Sequence, residues 1–237
     1  DEGLDPHLEA PFKGNLSVDK LEAAFAKYGD RIPLVMLTIT NNSGGGQPVS
    51  MANVKALRAL CDRYGVRIYL DATRMVENAY FIQQREAGYA DKPVAEILLE
   101  FCGYTDGAWM SAKKDNLVNI GGWMAVNDDD LFDQLRNMVV IYEGLHTYGG
   151  MAGRDMEAMA QGIREAATED HQAARIGQVR YLGHKLQEAG IPIVKPIGSH
   201  AIFIDARRFL PHIDQDDYPA QALAAELFIE AGIRSME

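Results

Sequence analysis

Two adjacent lysines, Lys113 and Lys114, stand in the stretch "MSAKKDNLVNIGG" (110–122), between the apolar Ala108-Trp109-Met110 and the apolar Leu117, Val118 and Ile120. A free lysine titrates near about 10.4, and both burial and a neighbouring cation depress that value. One member of such a pair can therefore become a neutral amine near physiological pH, fit for nucleophilic or base chemistry. Ser111 brings a hydroxyl to the same turn. Two other segments carry polar groups of interest: Asp71 and Arg74 in "VRIYLDATR" (66–74), and Asn42 with Gly44, Gly45 and Gly46 in "NNSGGGQPVS" (41–50). Each has an ordinary explanation taken alone. Glycines permit tight turns, an aspartate can cap a helix, and lysines usually lie along a solvated surface.

The elements that carry these residues change the weighting. "PLVMLTIT" (33–40) is a continuous apolar and β-branched run, which predicts a strand buried on both faces. From Met51 to Tyr64 apolar residues recur at helical spacing (Val54, Leu57, Leu60, Cys61), and Gly65 is a natural stop. "VRIYLDAT" (66–73) is a second strand. Strand, glycine-rich loop, helix and strand make a βαβ unit, so the economical architecture is an α/β domain, a mainly parallel sheet covered by helices. Helices are expected near 75–88 and 92–102, and two short strands, "DGAWMSA" and "GGWMAVN", around the lysine loop. A long helical pattern covers about 153–189, followed by a strand "HAIFIDA" (200–206) and a helix from about Pro219 to Ala231. Residues 1–165 are read as part of a large domain and 166–237 as part of a smaller α+β domain.

In open parallel sheets ligands sit outside the carboxyl ends of the strands. Asn42, Asp71, Arg74, Ser111, Lys113 and Lys114 all follow strand ends. An acid, an arginine, a hydroxyl and a lysine converging there match the needs of pyridoxal phosphate. Its aldehyde is held by a lysine, and its pyridinium nitrogen is stabilised by an acid. Asp71 suits the nitrogen, and Ser111 can donate to the phosphate.

Five segments, "NNSGGGQPVSMAN", "DATRMVENAYFI", "MSAKKDNLVNIGG", "YEGLHTYGGMAGRDMEAMA" and "GSHAIFIDARRFLPHI", together resemble the β-eliminating lyases, the family of tyrosine phenol-lyase and tryptophanase. The resemblance runs along almost the whole chain and covers about the middle half of such an enzyme. It implies a fold-type-I pyridoxal-phosphate enzyme. It also implies a role for each matched position. Lys114 would hold the cofactor and take the substrate α-proton, with Lys113 in the neighbouring polar network. Asp71 would pair with the pyridine nitrogen, Arg74 and Asn42 would lie near the phenolic oxygen, and Ser111 would bind phosphate. The backbone carbonyl of Asn119 would help bind a potassium-type monovalent cation. Leu145, His146 and Met236 would fall in the substrate pocket. The implied reaction is α,β-elimination from an aromatic amino acid, giving phenol, pyruvate and ammonia from tyrosine. The alternatives are indole release from tryptophan, another fold-type-I reaction such as amino transfer, or a degenerate homologue kept as a subunit.

Local details ("DATR", "AGRDMEAMA", "RSME") lean toward the tyrosine-cleaving members. Leu145-His146 stands where those members carry Met-Pro, and Ser199 where Gly is usual. The position that separates the two substrate classes follows Glu237. Segments that would supply further phosphate, ring-stacking and substrate-carboxylate contacts lie outside the sequence, so the chain is expected to be a fragment and a poor catalyst alone. The resemblance further implies a homotetramer with shared sites.

Composition narrows the partners. With 237 residues, 47% hydrophobic and 24% charged, the chain can bury a substantial core, and its net charge of −11 disfavours nucleic acid and anionic membrane as partners. No apolar run is long enough for a membrane span, and the acidic N-terminus is not a signal peptide. Cys61 and Cys102 make neither a disulfide framework nor a metal cluster, which suits a reducing cytoplasm. Among the histidines, His146 and His200 read as core or interface positions with His146 nearest the pocket, and His7, His171, His184 and His212 as surface positions. Trp109 and Trp123 read as core residues flanking the lysine loop.

Overall fold

The computed structural model describes Gly3 and residues 5–236. Helix α1 (Val18–Tyr28) starts at Ser17, whose hydroxyl accepts from the Lys20 amide, and leads into strand β1 (Leu34–Thr38). Helix α2 (Met51–Tyr64) begins at Ser50, which accepts from the Asn53 amide, and ends at Gly65 in the left-handed conformation. Its apolar stripe, Val54, Leu57, Leu60 and Cys61, is fully buried. Strand β2 (Arg67–Asp71) follows, then helices α3 (Met75–Arg85) and α4 (Val94–Cys102), then the strand pair β3 (Gly107–Ser111) and β4 (Gly122–Val126). The sheet order is β1-β2-β3-β4, parallel through the first three strands and antiparallel at the last. The sheet is thus mainly parallel, as expected, with one antiparallel strand at its edge.

Sheet residues Val35, Leu37, Ile68, Leu70, Ala108 and Met110 form one core with the inner faces of α2, α3 and α4. Full burial of each Val, Leu, Ile or Met side chain among them contributes about 1.5–3 kcal/mol. Register places Thr38 opposite Asp71, and Asp71 opposite Trp109, so the ends of β1, β2 and β3 share one edge. That edge carries the polar site.

The structure departs from expectation at three places. Strand β1 is not buried on both faces. Val35 and Leu37 point into the core, while Leu34 and Met36 are exposed because no described element covers the second face of this edge strand. The long helix is two, α6 (Gly153–Ala166) and α7 (Glu169–Glu188), separated at Thr168 by extended backbone. Thr168 followed by Glu169 and Asp170 is a helix-start signature, and the apolar periodicity continues across the break because both helices face the same core. Finally, 200–206 is not a strand. It makes a single antiparallel bridge, Ile193 to Ile204, with flanking bonds from Val194 to Phe203 and from Asp205 to Pro192. Pro192 and Pro196 lack the N–H groups that would extend a ladder.

Sequence periodicity had flagged neither α1 nor the helix after β4, α5 (Asp129–Tyr142). Helix α5 is capped by Asp128 and buries none of its residues. The short α8 (Ala206–Phe209) holds Arg207 and Arg208 at the surface, and α9 (Pro219–Ala231) begins at a proline and stops at Gly232, as expected. Among the described residues, no helix is long and apolar enough to cross a membrane.

Candidate active site

Lys113 and Lys114 sit in the turn after β3, and both are exposed. The Lys114 ammonium donates to Ser111 Oγ at 2.9 Å. Desolvation lowers the Lys114 pKa first, the charges of Lys113 and Arg74 lower it further, and Asp71 opposes them. Lys113 is thus one of the charges that lower the pKa of the Lys114 amine. The turn is closed by Ala112 N–H to the Gly121 carbonyl and by Leu117 N–H to the Lys114 carbonyl.

The residue after Lys114 anchors this turn. Asp115 is 4% exposed, and its Oδ2 accepts from the amides of Val76 (2.7 Å) and Glu77 (3.2 Å) at the start of α3. Arg74, the residue before α3, offers no side-chain cap, so the Asp115 carboxyl group arriving from the lysine turn satisfies the open amides instead. Glu77 is 3% exposed beside it. Burial pushes the Asp115 carboxyl up to about 8, with the nearby Glu77 charge adding to the rise and the two backbone amides and Arg74 opposing it. Burial likewise raises Glu77, against Ser199, Arg175 and Arg74.

Arg74, Glu77, Lys113 and Lys114 line a cleft of about 260 Å³. Its other wall is the first two turns of α7, with His171, Gln172 and Arg175, together with His200. Sequence reasoning assigned His171 to the surface, but it is half-buried here, because the break at Thr168 turns this end of α7 onto the cleft. His7, also expected at the surface, is half-buried and bonded to Asp205 Oδ2 at 2.8 Å. Among the described residues, Glu77 Oε2, Gln172 Oε1 and Asn116 Nδ2 are buried without a hydrogen-bond partner. Native proteins rarely leave such groups unsatisfied, and all three belong to this neighbourhood. Asp115, Glu77 and Arg175 had no sequence signal. Only an acid directly after the lysine pair could have drawn attention to Asp115.

Asn42 is exposed at the tip of the 41–47 loop, and its Oδ1 lies 2.6 Å from His200 Nε2. Thus Asn42, Asp71, Arg74, Ser111, Lys113 and Lys114 gather at one sheet edge. The remaining candidates lie apart from the cleft. His146 lines a separate apolar groove of about 350 Å³ with Met124, Phe132, Val139 and Tyr142, between β4 and α5. Leu145 is exposed beside it, and Met236 is 92% exposed. Asn119 is exposed in the loop before β4. Among the described residues, no group of three or more His, Cys, Asp or Glu side chains could hold a metal ion. Cys61 is buried on α2, Cys102 is half-buried at the end of α4, and both are free. Trp109 is half-buried and stacks on Tyr69 at 6.2 Å, while Trp123 is partly buried against the core.

The fold is thus an α/β sheet that carries a lysine, an acid and an arginine just past the carboxyl ends of its parallel strands. The family model described as "Beta-eliminating lyase" matches residues 3–237, and the chain belongs to that family. It is 61% identical to the tyrosine phenol-lyase of Nostoc punctiforme and 59% identical to that of Symbiobacterium thermophilum, over the whole chain and 51% and 52% of those proteins. It is 55% identical to the tryptophanase of Salinibacter ruber, over the whole chain and 50% of that protein. The chain therefore spans about half the length of the curated relatives it matches. Among solved structures, a protein from Exiguobacterium described as an aromatic amino acid beta-eliminating lyase/threonine aldolase matches with a TM-score of 0.55 at 17% identity. That match covers 78% of this chain and 49% of the other. A protein from Listeria monocytogenes described as an L-allo-threonine aldolase matches at 0.53 and 18%, covering 70% and 42%. These likenesses establish the α/β fold.

Proposed function

We propose that this chain carries the cofactor-binding centre of a pyridoxal-phosphate-dependent lyase that eliminates the side chain of an aromatic amino acid, tyrosine foremost. The observation that carries the reading is Lys114. Its amine is held 2.9 Å from Ser111 Oγ and depressed in pKa, with Lys113 and Arg74 beside it and Asp71 at the adjacent strand end. The donor set fits the cofactor: one lysine amine for its aldehyde, one acid for its ring nitrogen, a hydroxyl for its phosphate, and Asn42 and Arg74 as donors for its phenolic oxygen. When bound, pyridoxal phosphate supplies an electron-accepting ring and an aldehyde that captures amino groups.

The chain's own residues supply the rest. The free Lys114 amine takes a proton from the substrate α-carbon and can return it, because its pKa is drawn toward the working pH. Desolvation first, then the charges of Lys113 and Arg74, lower the pKa of that amine and ease its deprotonation. Asp71, at the end of β2, would pair with the cofactor's ring nitrogen. The Asp115 bonds to α3 hold the turn that carries Lys114 in place, so the amine returns to one position through each cycle.

The high identity to tyrosine phenol-lyases favours tyrosine as substrate, and the tryptophanase relative supports tryptophan as a second reading. The reading extends to a potassium-type cation at the Asn119 carbonyl, substrate contacts from Leu145, His146 and Met236, a homotetramer with shared sites, and a division into 1–165 and 166–237. The test uses the complete polypeptide containing this sequence. Pyridoxal phosphate should give a visible absorbance band that Lys114→Ala removes and Lys113→Ala retains. Phenol release should exceed indole release when tyrosine and tryptophan are supplied in turn. A band surviving in Lys114→Ala would sink the assignment of the lysine, and dominant indole release would replace the substrate.

A further inference from the structure

Asn42 is exposed, yet its side-chain carbonyl is engaged by a chain of hydrogen bonds that runs back into the protein. His200 Nε2 is 2.6 Å from Asn42 Oδ1, His200 Nδ1 is 3.0 Å from Ser199 Oγ, and Ser199 Oγ is 2.9 Å from Thr40 Oγ1. Thr40 and Ser199 are 1% and 0% exposed, and the His200 side chain is 7% exposed. An amide presents a carbonyl at one end and an amino group at the other, and the partner at one end decides where the other faces. We propose that His200 is a positioning residue for the site: its Nε2–H holds Oδ1 of Asn42, leaving the Asn42 amino group turned outward as a donor to an anionic oxygen of the bound ligand. This rests on the reading of the site as a cofactor centre given above.

Two sets of observations support it. First, the donor is rigidly mounted. The Ser199 amide donates to the Gly46 carbonyl at 3.1 Å, and Gln47 Nε2 donates to the Pro196 carbonyl at 2.7 Å. A side chain at Gly198 would stand 2.1 Å from the Gly45 carbonyl oxygen, so the two backbones are in direct contact. Second, the ring is neutral. Burial first, then the charges of Arg74 and Arg175, push the His200 pKa down to about 4. The acid that faces the ring is Glu77, whose Oε2 is 3.8 Å from Nδ1, beyond hydrogen-bond length, and burial drives it toward its own neutral form. A neutral imidazole has one N–H. Because Asn42 Oδ1 can only accept, that proton is on Nε2, and Nδ1 accepts from the Ser199 hydroxyl.

The complete polypeptide is compared as wild type, His200→Phe, His200→Gln, Asn42→Ala and the His200→Phe/Asn42→Ala double variant. The readouts are the pyridoxal-phosphate dissociation constant and the pH midpoint of its absorbance band, with 15N NMR of the imidazole in the cofactor-free protein as an independent measurement. His200→Phe should weaken cofactor binding about tenfold, the size of one lost hydrogen bond, and shift the band's midpoint. His200→Gln, whose amide can donate to the same oxygen, should recover most of both. In the Asn42→Ala background His200→Phe should add less than about twofold, since its partner is gone. NMR should show a neutral, Nε2-protonated ring at pH 7. An Nδ1-protonated ring, an unchanged band in His200→Phe, or full additivity in the double variant would each overturn the inference while leaving the functional reading in place. Absence of any band in the wild type would overturn that reading and this one together, whatever the tautomer.

Discussion

Replacing Gly162 with alanine isolates the contact that ties α6 to the lysine turn. A Cβ built on Gly162 lies 1.8 Å from the Asn116 carbonyl oxygen and 2.8 Å from its carbon, where ordinary contact begins at 3.4 Å. Relief requires a movement of about 1.5 Å by one backbone or the other, well beyond what close-packed interiors absorb freely. Neither is free to give way. Asn116 is 1% exposed, and the preceding Asp115 is bonded to the α3 amides. Two effects compete. Alanine favours the helix over glycine by about 1 kcal/mol. Overpacking costs about 1–3 kcal/mol, and stretching the buried Asp115 hydrogen bonds to the α3 amides adds about 0.5–1.5 kcal/mol. The expected net loss is about 0.5–3.5 kcal/mol. Gly177→Ala on α7, where a Cβ meets nothing within 4 Å, is the control and should gain about 0.5–1 kcal/mol. Urea unfolding with matched m-values measures both. Because Asn116 is two positions from Lys114, Gly162→Ala should also weaken cofactor binding. A Gly162→Ala protein as stable as the Gly177→Ala control would refute the close approach, and with it the account of how the lysine turn is held.

Lys113→Ala should raise the Lys114 pKa toward its ordinary value, since Lys113 is the leading charge that lowers it. The pH dependence of Lys114 reductive methylation would show the shift, and an unmoved midpoint would remove Lys113 from the activation argument. Glu100 accepts from Lys55 (2.8 Å), Lys92 (2.9 Å) and Tyr89 (2.8 Å), and these bonds, led by Lys55, lower its pKa from 4.5 to about 2. A carboxyl depressed in the folded state stabilises above its unfolded pKa, and that contribution is lost as pH falls through the folded one. Both lysines are partly solvated, so Glu100→Gln should cost only about 1 kcal/mol at pH 7, and the difference from wild type should vanish near pH 2 in urea melts. Gly198→Ala should displace the 197–200 segment, because its Cβ would meet the Gly45 carbonyl oxygen at 2.1 Å. Loss of the His200 to Asn42 coupling in its NMR spectrum would register the shift, and an unchanged spectrum would contradict the packing.

Local chemistry let the sequence specify α2 almost to the residue. Ser50, the apolar repeat and Gly65 each act within one or two turns, so no distant partner has to be known. The same holds for α9, from Pro219 to Gly232, and for the strand pair around the lysine turn. Strand-end positions also made Asp71, Ser111 and Lys114 readable as one edge. The tertiary structure alone decided the rest. The exposed face of β1 depends on what covers it, which an apolar run cannot state. The anchoring of the lysine turn depends on Asp115 reaching amides 38 and 39 residues away. The orientation of Asn42 depends on a histidine 158 residues further along. Backbone preferences and caps are properties of neighbours in sequence. By contrast, the satisfaction of buried polar groups and the depression of a lysine pKa depend on which distant segments meet, and that is determined only when the chain closes on itself.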